Sequence, residues 1–477
     1  MNFEQLLEFV SSKDSPRVCI DSRKVQAGDI FVAVEGTACD GHDFIDKAVA
    51  NGAKYIVVQR EVESEGASVI VVEDSARAAG ILAQASMGDP ASKLTCLAVT
   101  GTNGKTTIAF LVRSIINSAG QKCGLIGTIL CDTATRIFES SLTTPDCVSI
   151  AEMTAEMVQA GAKYLAIEAS SHALDQGRLA GVDFKAAAFT NLTGDHLDYH
   201  KTEQQYLAAK AILFEQLSPT STAVLNAESP QSQEIAVLTK AKLCRYCIDG
   251  DGDLVAKIES MDIDGAVFDL EYASQSARVV TPLIGRYNVS NCLAAAGLCL
   301  AAGFDLSDVA AGLSALKAIP GRLEKIESDA DFAVLVDYAH TDDALKNVLA
   351  ALKPLCNGKL IVVFGCGGDR DNTKRARMAA VAEQLADVVI VTSDNPRTEH
   401  PQYIIGEIMT GFDDPVADTV IHEADRKKAI GIALTAAEAG DIVLIAGKGH
   451  ETYQIIGKEK IDFDDRQIAR EFLEKQK

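Results

Sequence analysis

The stretch Thr100-Gly101-Thr102-Asn103-Gly104-Lys105-Thr106-Thr107 has the residue types of a phosphate-binding loop. It follows the apolar run Leu94–Thr100 and precedes a helical pattern that ends near Gly120. Glycines let the backbone turn tightly, so that its N–H groups face an anion at a helix N-terminus. Lys105 can reach terminal phosphates, and the Thr106 hydroxyl suits Mg²⁺. The spacing departs from the usual motif. A glycine belongs five residues before Gly104, and Val99 stands there, so a shorter GxxGKT remains. A plain turn with a surface lysine is the competing reading, and the strand–loop–helix setting disfavours it.

Further chemistry-bearing groups follow other apolar runs. Glu168-Ala169-Ser170-Ser171-His172 ends the run Tyr164–Ile167. A carboxylate past the carboxyl end of a parallel strand borders a nucleotide crevice, and Glu168 can hold Mg²⁺ opposite Thr106. Without the phosphate loop it reads as a solvated acid. Asn191 to His200 packs His196, His200, Asp195 and Asp198 together. This is either a polar cap for a helix starting near Thr202 or a set of metal ligands, and the spacing does not choose. Lys210 reads as a solvated helix lysine. Later, Asp337-Tyr338-Ala339-His340, Gly365 to Arg370, Asp394-Asn395-Pro396-Arg397 and Gly447-Lys448-Gly449-His450-Glu451 each follow a strand. Four polar clusters at the same end of one sheet predict a ligand crevice.

The elements that must position these residues alternate between short β-rich runs and helical stretches, the pattern of α/β layers on mostly parallel sheets. Strands are predicted at Tyr55–Val58 and Val69–Val72, with a helix from Ser75. Further strands are expected at Ala186–Phe189, Ala223–Leu225, Ala333–Val336, Lys359–Phe364, Val388–Thr392 and Ile442–Ala446. The more polar stretch 240–280 reads as an antiparallel excursion. Punctuation at Gly88-Asp89-Pro90 and Pro320-Gly321 divides the chain into 1–88, 89–319 and 320–477. A length of 477 residues fits about three domains.

The net charge of −22 argues against a protein held on nucleic acid or anionic lipid by a general positive field. It leaves room for a local basic pocket. No apolar run is long enough to span a membrane, and Met1–Val10 has no basic n-region. The twelve cysteines are scattered, and Cys244/Cys247 form a lone CxxC, so reduced thiols in a cytoplasmic protein are expected.

The motifs GTNGKTT, EASSH, TNLTGDHLDYH, YLAAK, GRYNVSN, PGRLE, DYAHTDD, GCGGDRD, DNPR and GKGHE occur in this order. Together they resemble the Mur ligase family over nearly the whole chain, from Asp21-Ser22-Arg23 to Glu451. The resemblance implies three α/β domains: an N-terminal domain for the UDP end of the substrate, a central P-loop-type domain for ATP, and a C-terminal Rossmann-like domain for the amino acid. It implies peptide ligation in peptidoglycan precursor synthesis, with UDP-MurNAc-L-Ala-D-Glu, meso-diaminopimelate and ATP as partners, Mg²⁺ as cofactor and a monomeric enzyme. L-lysine as the added amino acid is the alternative.

Carried over by motif, Ile20, Ser22, Thr37, Ala38 and Cys39 would face the uridine diphosphate, Cys39 through its backbone. Thr143, Thr144, Ser170, Gln176 and Arg178 would hold the sugar–peptide. Thr100, Gly101, Thr102, Asn103, Gly104, Lys105 and Thr106 would bind the triphosphate, and Asn288, Arg322 and Asp337 the nucleoside. Lys105, Glu168, His196 and Lys210 would be catalytic. Thr106, Glu168, His196 and Lys210, the last as a carbamate, would serve the metal. Arg370, Asp394, Asn395, Pro396, Arg397, Gly447 and Glu451 would hold diaminopimelate. There the Arg397 fork matches a carboxylate, and Glu451 can meet the distal ammonium. A nucleotide switch or transport ATPase would need no third domain with its own crevice. Folylpolyglutamate synthase would lack the UDP-binding start and DNPR.

Overall fold

Val, Ile and Leu runs with no polar alternation cannot face water on either side, so they form parallel strands covered by helices on both faces. The structure, a computed structural model, describes residues 1–12, 16–36 and 39–475. Thr37 and Ala38, expected at the uridine diphosphate, lie outside the described residues. The chain divides into two compact units. One comprises 1–257, 270–278 and 290–315, and the other 258–269, 279–289 and 316–477. No helix of the described residues is long and apolar enough to cross a membrane.

The first unit opens with α1 (Phe3–Val10), capped by Asn2. A parallel sheet follows in the order β1 (Val18–Cys19), β2 (Ile30–Val32), β3 (Tyr55–Val58) and β4 (Ser68–Val71). Helices α2 (Ile45–Ala50) and α3 (Ser75–Ser86) cover it. Alternate strand residues face two apolar layers. Val32 and Val57 meet Leu6 and Leu82 on one face, and Phe31 and Ile56 meet Ala48 on the other.

The larger sheet of this unit carries the phosphate loop. Its strands in chain order are β5 (Thr95–Thr100), β6 (Cys123–Ile126), β7 (Leu130–Asp132), β8 (Ile137–Glu139), β9 (Tyr164–Glu168), β10 (Phe184–Phe189), β11 (Thr222–Asn226) and β12 (Lys242–Ile248). In space they run β12, β11, β10, β5, β9, β6, β7, β8. All pairings from β12 to β6 are parallel, and β7 and β8 add antiparallel strands at the edge. Between strands lie α4 (Lys105–Ser118), α5 (Cys147–Gln159), α6 (Ser171–Asp175), α7 (Leu197–His200), α8 (Glu203–Glu215) and α9 (Gln231–Leu238). The loops after β5, β9 and β10 therefore emerge at one sheet edge, with β5 flanked by the other two.

The stretch 240–280 corrects one expectation. Its first pairing is parallel: β13 (Leu254–Asp262) lies beside β12 with Tyr246 opposite Leu254. The overlap is only three residues, so the Asp249–Asp253 loop has a short return to make, far less than a full parallel crossover. Strands β14 (Gly265–Tyr272) and β15 (Gln275–Thr281) follow by two-residue connections. Ala273 and Ser274 both take positive φ, as a tight hairpin turn requires. Helices α10 (Arg286–Ala301) and α11 (Leu306–Ala315) come next, with α11 against α4.

The second unit contains a six-stranded sheet. Its strands are β16 (Glu324–Lys325), β17 (Ala333–Asp337), β18 (Leu360–Phe364), β19 (Val388–Val391), β20 (Val420–His422) and β21 (Ile442–Ala446). The order is β16, β17, β21, β18, β19, β20, all parallel except β16. Helices α12 (Asp342–Leu352), α13 (Lys374–Leu385), α14 (Pro401–Met409), α15 (Arg426–Ala436) and α16 (Asp465–Lys475) cover it, and the hairpin β22 (Tyr453–Ile456) and β23 (Glu459–Asp462) precedes α16. Parallel pairing puts the four polar clusters after β17, β18, β19 and β21 at one edge, as their positions predicted.

Candidate active site

In the first unit the phosphate loop turns at Gly101 (φ +147°) and Gly104 (φ +90°). A side chain at Gly101 would collide with Thr190, and one at Gly104 with Asn291. Glycine is thus required by close approach as well as by φ. The neighbouring loop after β10 clamps this turn. Thr102 N–H donates to the Asn191 carbonyl (2.9 Å), Asn103 N–H to Asn191 Oδ1 (3.0 Å), and Thr190 Oγ1 to the Asn103 carbonyl (2.7 Å).

Two lysines converge on this loop. Lys105 Nζ donates to the carbonyls of Gly101 and Thr102, each at 2.8 Å. Lys210 Nζ donates to the same Gly101 carbonyl at 2.8 Å. Lys210 is 1% exposed, not solvated, because α8 buries residues around most of its circumference. Its ammonium lies 4.3 Å from the Tyr206 ring centroid. Burial, with the nearby Lys105 charge adding to it, holds the Lys210 pKa well below the ordinary lysine value.

Glu168, at the end of β9, is fully buried rather than solvated. Its carboxylate accepts from Thr106 Oγ1 (3.0 Å), Thr128 Oγ1 (2.9 Å) and Thr128 N–H (2.8 Å). A side chain at Gly127 would collide with it. Thr106 and Glu168 thus present hard oxygen donors side by side, the chemistry Mg²⁺ prefers. No group of three or more His, Cys, Asp or Glu placed for a metal occurs among the described residues. A cation here would draw further ligands from outside these two side chains, water and phosphate among them, as Mg²⁺ does.

The His-rich loop resolves into two roles. His200 is buried, with Nε2 2.9 Å from Ser171 Oγ and its ring stacked on Tyr206 at 5.1 Å. His196 lies edge-on to Tyr206 at 6.0 Å and to His172 at 4.8 Å. Burial pulls its pKa down to about 4, against the pull of Asp195. Thr106 meets Glu168 directly, whereas His196 and Lys210 each contact the Tyr206 ring.

The residues expected at the sugar–peptide form a chain of contacts. Thr143 Oγ1 lies 3.1 Å from Thr128 Oγ1 and is the donor there, since the Thr128 proton goes to Glu168, and Thr144 Oγ1 donates to the Glu168 carbonyl (2.6 Å) and accepts from the Ser170 amide (3.1 Å). Arg178 donates to the Thr144 carbonyl (2.8 Å) and to Gln176 Oε1 (2.6 Å). Ile20, Ser22 and Cys39 belong to the four-stranded region. Ile20 packs against its core, the buried Ser22 gives its carbonyl to Asn51 (2.8 Å), and the exposed Cys39 gives its carbonyl to Gly36 N–H (3.0 Å).

In the second unit Asp337 ends β17 and accepts from the amides of Leu323 (2.7 Å) and Ala339 (2.8 Å). Burial raises its pKa, and Arg322 opposes the rise. The Arg322 guanidinium lies 4.9 Å from the Tyr338 ring centroid. Asn288, near the head of α10, donates to the Ile284 carbonyl (2.8 Å). The His450 ring is tilted against Tyr338 at 5.0 Å, and burial beside Arg322 pulls its pKa to about 3.

The loops after β19 and β21 meet through Lys448, which sequence reasoning left unassigned. It is completely buried and donates to Glu451 (2.8 Å) and Asn395 Oδ1 (3.3 Å), while Asn395 Nδ2 also donates to Glu451 (2.8 Å). Asp394 accepts from the Asn395 amide (2.6 Å), and a side chain at Gly447 would crowd its carboxylate. Pro396 is buried beside them. Arg397, at φ +52°, donates through Nη1 to the Gly368 carbonyl (2.8 Å). Arg370 is exposed and donates to the Asp369 carbonyl (3.1 Å). Of the missed residues, Tyr206 and Lys448 lie inside the YLAAK and GKGHE motifs without an assigned role, whereas Thr128 and Arg375 lie in none of the motifs. Only their contacts reveal them.

A phosphate loop beside a buried strand-end carboxylate, with a second parallel sheet presenting a polar edge, is the architecture of an ATP-dependent ligase with three α/β domains. Three domain models agree: the Mur ligase family catalytic domain at residues 17–87, the Mur ligase middle domain at 99–299, and the glutamate ligase domain at 321–449. The chain belongs to the Mur ligase family. It is 43% identical over 463 residues to the UDP-N-acetylmuramoyl-L-alanyl-D-glutamate–2,6-diaminopimelate ligase of Bacillus licheniformis, covering 96% of this chain and 94% of the relative. It is 44% identical to the ligase of that name from Gloeobacter violaceus, covering 96% and 93%. A solved ligase of the same name superposes with a TM-score of 0.72 at 35% identity, covering 100% and 99%. The MurF ligase of Thermotoga maritima, solved with ADP, shares the fold at a TM-score of 0.63 and 20% identity, covering 98% of this chain and all of that one.

Proposed function

We propose that this chain adds meso-diaminopimelate to the D-glutamyl γ-carboxylate of UDP-MurNAc-L-Ala-D-Glu, using ATP, through an acyl phosphate, in peptidoglycan precursor synthesis. The observation that carries the reaction class is the Thr106 hydroxyl held on buried Glu168 at the head of the phosphate-loop helix. Relatives covering almost the whole chain and named for diaminopimelate support that amino acid over L-lysine.

A carboxylate is a poor acyl donor because its oxygen is a poor leaving group. Phosphorylation turns that oxygen into a good one. The amine then attacks the acyl carbon, a tetrahedral intermediate forms, and phosphate departs. The chain has to bring one anion against another, so its local cations matter despite the net charge of −22. Lys105 offers an ammonium at the loop that would meet the phosphates. Mg²⁺, when bound, neutralises the transferring phosphoryl group. Thr106, Glu168, His196 and a carbamylated Lys210 would hold it. Burial favours the neutral form of Lys210, the form that can react with CO₂, and the carbamate offers oxygen ligands. A histidine held neutral down to about pH 4 keeps its lone pair for ligation.

The remaining assignments follow the family motifs. Thr100 to Thr106 serve the triphosphate, and Asn288, Arg322 and Asp337 the nucleoside. Ile20, Ser22 and Thr37 to Cys39 serve the uridine diphosphate. Thr143, Thr144, Ser170, Gln176 and Arg178 serve the sugar–peptide. Arg370, Asp394 to Arg397, Gly447 and Glu451 serve diaminopimelate. We place the domain limits at 1–88, 89–319 and 320–477, at the Gly88-Asp89-Pro90 and Pro320-Gly321 punctuation. A cytoplasmic monomer is the form in which we expect it to act.

Arg397 can pair with the distal carboxylate of diaminopimelate, which L-lysine lacks. Sites built around a polar partner reject the analogue without it by roughly 10⁴-fold. The test is kcat/KM for both amino acids with purified enzyme, ATP, Mg²⁺ and the UDP-linked dipeptide. Strong preference for diaminopimelate, lost in Arg397→Ala, is expected. Equal use of both amino acids refutes the assignment.

A further inference from the structure

Two carboxylates lie near Arg397, Glu399 across Gly368 and Asp369 through its charge interaction with the guanidinium, and both accept their hydrogen bonds from other groups. Arg397 Nη1 donates to the Gly368 carbonyl at 2.8 Å, and a Cβ built on Gly368 would lie 3.2 Å from Glu399 Cβ. Glu399 therefore lines the same glycine as the Arg397 guanidinium and sits two residues along the chain. It nevertheless gives its oxygens to Arg375, with two hydrogen bonds of 2.9 Å, and to the Asp369 amide at 2.6 Å. Asp369, the second acid, accepts from the Thr398 hydroxyl (2.7 Å) and amide (3.2 Å). Among the described residues Arg397 forms no ion pair, and its Nη1 bonds go to carbonyls.

Arg375 does not need Glu399 for its own charge. It is 1% exposed, pairs with Glu407 at 2.6 Å, and donates to the Gly367 carbonyl at 3.2 Å. One guanidinium with two glutamates is over-supplied with negative charge. The second glutamate thus has its consequence at the neighbour it leaves, Arg397.

We infer that Arg375, seconded by Thr398, is a positioning residue that keeps the Arg397 guanidinium available to the carboxylate of the incoming amino acid by engaging the acids that would otherwise neutralise it. This rests on the reading of Arg397 given above. An arginine–carboxylate fork is a strong, charge-assisted contact. A glutamate two residues away competes as an intramolecular partner at high effective concentration.

The experiment is steady-state kinetics of the full enzyme at saturating ATP and UDP-linked dipeptide, with meso-diaminopimelate varied. Arg375→Met releases Glu399, so the KM for diaminopimelate rises about tenfold or more while the KM for ATP holds, the pattern of a lost substrate-binding contact. Adding Glu399→Gln restores the KM. Arg375→Lys retains part of the effect of the native residue. Because Arg375 is buried, melting temperatures are read in parallel, and a surface pair reports independently. Thr398→Val removes the hydroxyl contact while the amide contact remains, freeing Asp369 Oδ1 and raising the same KM, and Asp369→Asn on that background lowers it again. A KM that stays raised in both double variants means a merely structural role and overturns the inference. Arg397→Ala separates the two levels. If it leaves the diaminopimelate KM unchanged, the reading of Arg397 fails. If it raises that KM and neither double variant recovers, only the inference fails.

Discussion

Lys210 shows how much a residue's chemistry depends on where its helix lies. By its residue type and neighbours alone it reads as a solvated helix lysine. In the structure it is enclosed, bonded to the Gly101 carbonyl and set against Tyr206. The same burial that makes an ammonium costly makes the free amine accessible, and carbamylation replaces a cation with an anion beside Lys105. Lys210→Ala is expected to lose activity by at least roughly 100-fold, more than the removal of a supporting contact around a metal. A short carboxylic acid should restore part of the turnover by supplying the missing oxygens. The measurement is product formation with and without added carboxylate, with melting curves as a fold control. A plain ammonium at Lys210 in the active, Mg²⁺-loaded enzyme would remove the carbamate from the mechanism. Residues such as Lys105 were legible because their motif is local. Lys210 was legible only through the resemblance of its YLAAK motif, and Lys448 and Arg375 were given no role, because neighbours from distant segments decide what they do.

Strand positions were largely readable, since continuous apolar runs allow few alternatives. Ile442–Ala446 matched to the residue, and Tyr164–Ile167 lengthened only to Glu168. Pairings between elements were less visible, as the parallel step from β12 to β13 shows. The joint between α15 and α16 is a second instance. Arg426 opens α15 and Asp465 opens α16, and both are fully buried. Their two oxygens and two nitrogens pair at 2.8 and 2.7 Å, and the guanidinium also donates to the Ala446 carbonyl at the end of β21 (2.9 Å). This ion pair fixes where the loop carrying Gly447, Lys448 and Glu451 begins. Arg426→Met should destabilise the protein by about 3–5 kcal/mol, because it leaves the Asp465 carboxylate buried without a partner. Arg426→Met with Asp465→Leu should recover most of that loss, since both charges are then gone. Chemical denaturation of the full chain gives both values. A single variant within about 0.5 kcal/mol of the native protein, as for an ordinary surface change, would show the pair to be inconsequential.

At the scale of the whole molecule, the chemistry is divided between two units. The phosphate loop and Glu168 lie in one, and the Arg397, Lys448 and Glu451 cluster lies in the other. A ligase organised this way should not consume ATP in the absence of its acceptors, unlike a nucleotide switch, whose acceptor is water. Without the UDP-linked dipeptide there is no carboxylate to receive the phosphoryl group, so ADP release should stay near background. With the dipeptide and ATP but no amino acid, the acyl phosphate has no amine to attack it. ADP should then appear in a burst of about one equivalent per enzyme and stall, the signature of an accumulating intermediate. Adding meso-diaminopimelate should release steady turnover with one ADP and one phosphate per peptide bond. Quenched-flow measurement of ADP with each substrate omitted in turn checks this sequence. Steady ATP consumption with both the dipeptide and the amino acid absent would point to hydrolysis as the native reaction and displace ligation.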